Sequence, residues 1–283
     1  MNRTLELTRT NVATLSLSAL TVLPCSPLDQ IDAAHAAGFD AVGLRVHPSL
    51  PTDIDVMANA ALRRAIERRI ATTSLRVLDV DVIRVGPQTD VSAMKPLLVF
   101  AGGLGAESII FTSLLRDECR PSDERECALK IAELCEASDR HGVRPIVEFI
   151  PFRSIASLSD AIRIAGLVSH PNFGICVDVL HLCRSGGGAA DLANADPRLL
   201  ASIQLCDAPQ TAPTDLVSES RSDRLHPGDG ALPLVDIIRA IPPNVAVSVE
   251  VPNVTWQTRS PTERAQRAAI CARRVLAAAR SES

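Results

Sequence analysis

The chain is poor in aromatic side chains, with six Phe, one Trp and no Tyr in 283 residues. Stacking platforms for single-stranded nucleic acid are therefore not expected. A positive excess is also missing: the formal net charge is −4, which gives no general attraction to nucleic acid or to an anionic membrane. No apolar run approaches the roughly 20 residues of a membrane-spanning helix. The first ten residues, MNRTLELTRT, lack the apolar core of a secretion signal. The eight cysteines, at 25, 119, 127, 135, 176, 183, 206 and 271, never form a C-x-x-C pair. Scattered in this way, they suit reduced thiols in a cytoplasmic protein rather than a disulfide framework. What is present is ample core material: 46% of residues are hydrophobic and 22% charged. That balance predicts one sizeable globular domain over residues 1–283.

Short β-branched runs alternate with longer amphipathic ones. Strands are predicted at Thr14–Ser18, Ala41–Val46, Ser74–Val82, Glu107–Thr112, Pro145–Ile150, Gly174–Leu180, Ala201–Cys206 and Ala246–Val251. Helices are predicted at Pro27–Ala37, Ile54–Arg69, Val91–Leu104, Asp123–His141, Leu158–Val168, Pro233–Ile241 and Pro261–Arg280. Such alternation means parallel strands with helical crossovers, and eight units in this length predict a closed (β/α)8 TIM barrel. The rival, an open doubly wound sheet, would usually carry a glycine-rich turn after its first strand. The segment there, ALTVLPCSPLD, has no glycine. The longest irregular stretch, Ala208 to Leu232, lies between the seventh and eighth strands, and long loops in compact domains are commonly functional.

Chemistry in such barrels sits at the C-terminal ends of the strands. Strand five ends IVEFI with Glu148, and strand six ends ICVDVLH with Asp178 and His181. Strand seven, SIQLCDA, carries Gln204 and Asp207; strand eight, VSVEVPN, carries Glu250. Glu148, Asp178, Gln204 and Glu250 each interrupt an apolar run, and neighbouring staves would bring the four together. Three carboxylates so close repel one another unless a cation neutralises them. Oxygen ligands of this kind suit Mg²⁺, Mn²⁺ or Co²⁺, with Zn²⁺ also admissible. Pairing of each acid with a rim arginine is the blander reading for any one residue, but four on consecutive strands favour a metal. His181 reads equally as a surface residue and as a hydrogen-bond donor or proton carrier facing substrate. Arg45, Arg84, Arg153, Arg184 and Arg224 fall near strand ends, and guanidinium forks match carboxylate or phosphate. Their alternative is rim ion pairing with Asp79, Asp81 and Asp207. The GGG of RSGGG reads as a flexible loop, HPGDG as a turn, and Trp256 as either pocket wall or ordinary packing.

Six pieces, taken in order, resemble the xylose-isomerase-like barrel superfamily and its sugar phosphate isomerase/epimerase branch. They are AAHAAGFDAVGLRV (33–46), EFIPF (148–152), VDVLHLCRSGG (177–187), QLCDAP (204–209), RLHPGDGALPL (224–234) and VEVPN (249–253). The resemblance spans nearly the whole chain and is more specific to the superfamily than to one reaction. It implies Glu148, Asp178, Gln204 and Glu250 as metal ligands, with His181 and Arg224 as substrate contacts. Arg45, Arg184 and His226 are taken as further contacts at the mouth. Gln204 stands where many ketose epimerases have histidine, and suits hydroxypyruvate-isomerase-like or dehydroshikimate-dehydratase-like members. With only six histidines, the chain lacks the larger histidine cluster of endonuclease IV.

The implied chemistry is removal of a proton from carbon next to a carbonyl. A divalent ion stabilises the developing enediolate, and Glu148 and Glu250, with His181, serve as acid and base. The expected activity is thus a metal-dependent isomerase or epimerase on a sugar, sugar phosphate or small hydroxy-carbonyl compound. Dehydration of the dehydroshikimate or inosose type is the enzymatic alternative, and a non-catalytic sugar-binding or accessory subunit the other. The expected partner is a small polyhydroxylated or anionic molecule, with no nucleic acid and no membrane; the sequence leaves room for a homo-oligomer.

Overall fold

The computed structural model describes residues 13–48 and 53–281. Eight parallel strands close on themselves in chain order: β1 (Leu15–Leu17), β2 (Ala41–Arg45), β3 (Arg76–Val85), β4 (Ser108–Ser113), β5 (Arg144–Glu148), β6 (Gly174–Asp178), β7 (Leu200–Leu205) and β8 (Ala246–Val249). The ring shuts where Ser16 of β1 pairs with Ser248 of β8. The fold is a single (β/α)8 TIM barrel.

The long crossover helices are α1 (Pro27–Ala36), α2 (Ala60–Thr73), α3 (Lys95–Gly103), α4 (Glu124–Asp139) and α5 (Leu158–Val168). Four shorter helices follow: α6 (Val179–Arg184), α7 (Ala189–Asn194), α8 (Leu216–Ser222) and α9 (Leu234–Ala240). The last, α10 (Pro261–Arg280), packs against α1 and α9. Their starts are written in the sequence. Ser26 and Ser260 each accept from the third backbone N–H of the helix, Asp29 or Glu263 reaches back to the cap, and proline fills the first turn. One large apolar cluster joins the outward strand faces to these helices, whereas the barrel interior holds only small apolar groups, such as Ala41 with Leu78 and Ala246.

Alternation along each strand sorts the side chains. In β7, Ile203 and Leu205 join the outer cluster while Ser202 and Gln204 face inward; in β8, Val247 and Val249 go out and Ser248 goes in. Inward positions thus become polar toward the C-terminal mouth, where the catalytic face of such a barrel lies.

Several boundaries differ from the sequence expectation. β6 stops at Asp178 rather than Leu180, because Asp178 is the N-cap of α6 and its Oδ1 accepts from the His181 backbone N–H at 3.1 Å. α2 begins at Ala60 rather than at Ile54, since the Asn59 side chain caps it by accepting from Leu62 N–H. β3 runs on to Val85 and so carries Arg84. The Ala208–Leu232 stretch contains α8. Among the described residues no helix is long and apolar enough to cross a membrane, and all eight cysteines are free.

Candidate active site

Glu148, Gln204 and Glu250 reach the mouth from neighbouring staves, with Asp178 between them in strand order. Register explains their convergence: Glu148 pairs with Cys176 one layer below Asp178, Asp178 pairs with Gln204, and Gln204 pairs with Ser248, two residues before Glu250. All four are buried, Asp178 completely.

Their hydrogen bonds define the electrostatics. Glu250 Oε1 accepts from the Ser18 hydroxyl at 2.7 Å and from Gln204 Nε2 at 3.1 Å. The Arg224 guanidinium lies between two acids, with Nη1 2.6 Å from Asp178 Oδ2 and 3.3 Å from Glu250 Oε2. Arg224 is itself fixed, since its Nε donates to the Ser220 carbonyl at 2.9 Å and its own carbonyl accepts from Asn253 Nδ2 at 2.8 Å. Burial would raise the Asp178 carboxyl, but Arg224 and the His181 end of α6 hold it below the ordinary 3.8. For Glu148, burial, then Glu250 and Asp178, outweigh the pull of Arg224 and drive its carboxyl well above the usual range. Burial also lifts Glu250 to about 7, against the pull of Arg224.

His181, on the first turn of α6, faces the same cavity, its Nε2 3.7 Å from Glu148 Oε1 and 4.0 Å from Asp178 Oδ2. The Phe152 ring meets it edge-on, with centroids 6.2 Å apart. Burial lowers the imidazole to about 4, so it is neutral near pH 7. Glu148, Asp178 and His181 each offer one ligand atom, and these atoms lie within 4.8 Å of one another. Gln204 Oε1 is buried without a hydrogen-bond partner. An orphaned amide oxygen beside crowded carboxylates is a donor set that fits a divalent cation.

The predicted mouth residues divide. Arg45 and Arg224 line the cavity, which holds about 90 Å³; Arg45 also pairs with Asp53 at 3.1 Å and Asp81 at 3.4 Å. Arg184 lies elsewhere, clamping Glu219 at 2.6 Å and the Pro209 carbonyl at 2.8 Å, and so ties α6 to α8. His226 also stands outside the cavity lining, against the sole Trp, Trp256, at 4.8 Å. Among the described residues Asp207 makes no rim ion pair. Its two oxygens accept from the backbone N–H groups of Ala208, Gly228, Gly230 and Leu232 at 2.8–3.0 Å, which folds the HPGDG turn and holds the segment bearing Arg224. Gly230 is required there, because a Cβ would come within 2.4 Å of Asp207 Oδ1. Sequence reasoning missed Arg221, Ser18 and Thr112. Arg221 and Thr112 line the cavity and Ser18 anchors Glu250, but no motif marks isolated residues of these types.

Fold and site together define a TIM barrel with an acidic cluster at its C-terminal mouth. More particularly, the chain belongs to the xylose isomerase-like TIM barrel family, whose model matches residues 31–274. Among solved structures it resembles the IolI protein with a bound zinc atom, at TM-score 0.81 and 19% identity over 95% of this chain and 99% of the other. It also resembles the probable 3-DHS dehydratase AsbF from Bacillus anthracis, at TM-score 0.72 and 15% identity, covering 91% and 97% of the two chains. A D-allulose 3-epimerase from Methylomonas sp., in complex with D-allulose, matches at TM-score 0.71 and 13% identity over 93% and 97%. At such identities the likeness is one of fold. No curated protein matches the chain by sequence.

Proposed function

We propose that the protein is a divalent-metal-dependent isomerase or epimerase that removes the proton next to a carbonyl in a sugar, sugar phosphate or other small hydroxy-carbonyl compound. The observation that carries this reading is the unpartnered Gln204 Oε1 buried beside Glu148, Asp178 and Glu250. Glu148, Asp178, Gln204 and Glu250 would hold the cation, with His181 close by. When bound, it would supply Lewis-acid stabilisation for negative charge developing on the carbonyl oxygen.

The chain's own groups supply the proton transfers. Glu250, held in place by Ser18 and Gln204, would accept the proton. Glu148, whose carboxyl burial and its acidic neighbours push upward in the metal-free protein, would return a proton to the opposite face. Neutral His181 donates a hydrogen bond from Nε2 to a substrate hydroxyl. If that hydroxyl sits on the β-carbon, the same groups support loss of water, so the dehydratase outcome differs only in the second step. Eight free thiols suit a reducing, cytoplasmic setting.

The test is dialysis against EDTA followed by return of Mn²⁺, Mg²⁺, Co²⁺ or Zn²⁺, with thermal stability and bound metal measured together. One ion per chain and a raised melting temperature are expected, with both lost in Gln204→Leu. Absence of binding by all four ions would remove the proposal.

A further inference from the structure

The cavity gathers more guanidiniums than its ion pairs engage. Five guanidiniums line it, from Arg45, Arg84, Arg153, Arg221 and Arg224, against the carboxylates of Asp81, Glu148 and Glu250. Two are committed: Arg45 to Asp53 and Asp81, and Arg224 to Asp178 and Glu250. The other three come from β3, from the loop after β5 and from α8. Among the described residues, none of these three forms an ion pair with a carboxylate.

Arg153 is the informative member. It is only 6% exposed, yet among the described residues its side-chain hydrogen bond goes to the Ser113 carbonyl, which accepts from Nη1 at 2.6 Å, and its Nε is buried with no partner. A buried cation with no carboxylate in ion-pair contact is costly. Burial and the nearby charges of Arg84 and Arg221 work against its protonation, and Glu148 and Glu118 offset them only in part. Arg84 and Arg221 are exposed beside it at the rim. Three like charges gathered at one opening are relieved when an anion enters between them, and planar forks grip carboxylate or phosphate oxygens in pairs.

We propose that Arg84, Arg153 and Arg221 form an anion subsite at the mouth of the barrel, which takes the carboxylate or phosphate end of the substrate. The substrate is then an acidic hydroxy-carbonyl compound rather than a neutral polyol, with its carbonyl end toward Glu148 and Glu250. That second half rests on the proposed function; the anion subsite does not.

The experiment is calorimetric titration of the metal-free full chain with inorganic phosphate and with malonate at constant ionic strength. Running it after EDTA treatment separates the subsite from the metal reading, which is tested by metal return. Wild type and Arg259→Ala, an exposed arginine paired with Glu263 away from the cavity, should bind at least one anion equally. The double variant Arg84→Ala/Arg221→Ala, altered only at exposed positions, should bind at least tenfold more weakly. Arg84→Lys/Arg221→Lys should recover part of the loss. Tighter phosphate binding assigns a phosphorylated substrate, and tighter malonate binding a carboxylated one. If wild type binds neither anion, or the alanine double variant binds as well as wild type, the proposal is overturned.

Discussion

Replacing Arg224 by Met removes one buried charge while keeping most of the stem volume. In wild type its Nη1 lies 2.6 Å from Asp178 Oδ2 and 3.3 Å from Glu250 Oε2, in a setting where Arg224 is 2% and Asp178 0% exposed. Breaking a buried pair from one side costs about 3–5 kcal/mol, since the remaining charge is left uncompensated. For a chain of this size, about 2–4 °C of melting temperature accompanies each kcal/mol, so the metal-free variant should melt roughly 6–20 °C lower. Mn²⁺ should reverse much of this, because an ion at 100 times its Kd adds about 2.7 kcal/mol and no longer competes with the guanidinium. The pH dependence has a definite sign. Asp178 is held below 3.8 in the folded protein, so its contribution is present above that value and lost as pH falls through the folded pKa. The gap between wild type and variant should therefore close in strong acid. Scanning calorimetry with EDTA and with Mn²⁺ reads all three effects. A variant as stable as wild type in EDTA, or a larger Mn²⁺ gain in wild type than in the variant, would refute the reasoning.

Asp207→Ala should destabilise the protein by roughly 3 kcal/mol or more, because four backbone N–H groups lose a charged acceptor; urea titration measures this, and a change under 1 kcal/mol (roughly a fivefold change in the folding constant) would contradict it. Burial, with Arg267 nearby, lowers His226 to about 4, so its neutral form is favoured and stability is lost as pH falls from 6.5 toward 4. His226→Gln should flatten that part of the stability profile, and an unchanged slope would place the linkage elsewhere. In metal-free protein Glu250, raised to about 7, has the opposite sign: its contribution falls as pH rises from 4.5 to about 7. Glu250→Gln should remove that slope in urea titrations across the same range.

The barrel and its acids were legible because their signals are local. An acid within a run such as ICVDV or VSVEV has no water unless the strand ends there, and strand ends in a barrel share one mouth. The start of α6 was hidden because VLHL satisfies strand and helix alike, and only the side-chain cap at Asp178 decides between them. Asp207 shows the same limit: an acid at a strand end looks alike whether it faces arginine or a turn of backbone N–H groups. Arg184 and Arg224 are of one type in comparable positions, yet Arg184 turns to Glu219 and Arg224 to Asp178. Those partners lie 35 and 46 residues away in sequence, and tertiary packing chooses between them. Arg221 sits in a helix within a stretch read as irregular, so its place at the mouth had no sequence signal.

In the proposed function, carboxylates from adjacent staves move a proton next to a carbonyl with the help of a divalent ion. Proton NMR in D2O tests it directly, by following loss of the C–H signal adjacent to the carbonyl across a panel of hydroxy-keto acids and ketose phosphates. Exchange is expected with at least one member, dependent on added Mn²⁺, Mg²⁺, Co²⁺ or Zn²⁺ and absent in a folded Glu250→Gln variant. Exchange that persists after EDTA treatment, or at the wild-type rate in that variant, would contradict the account.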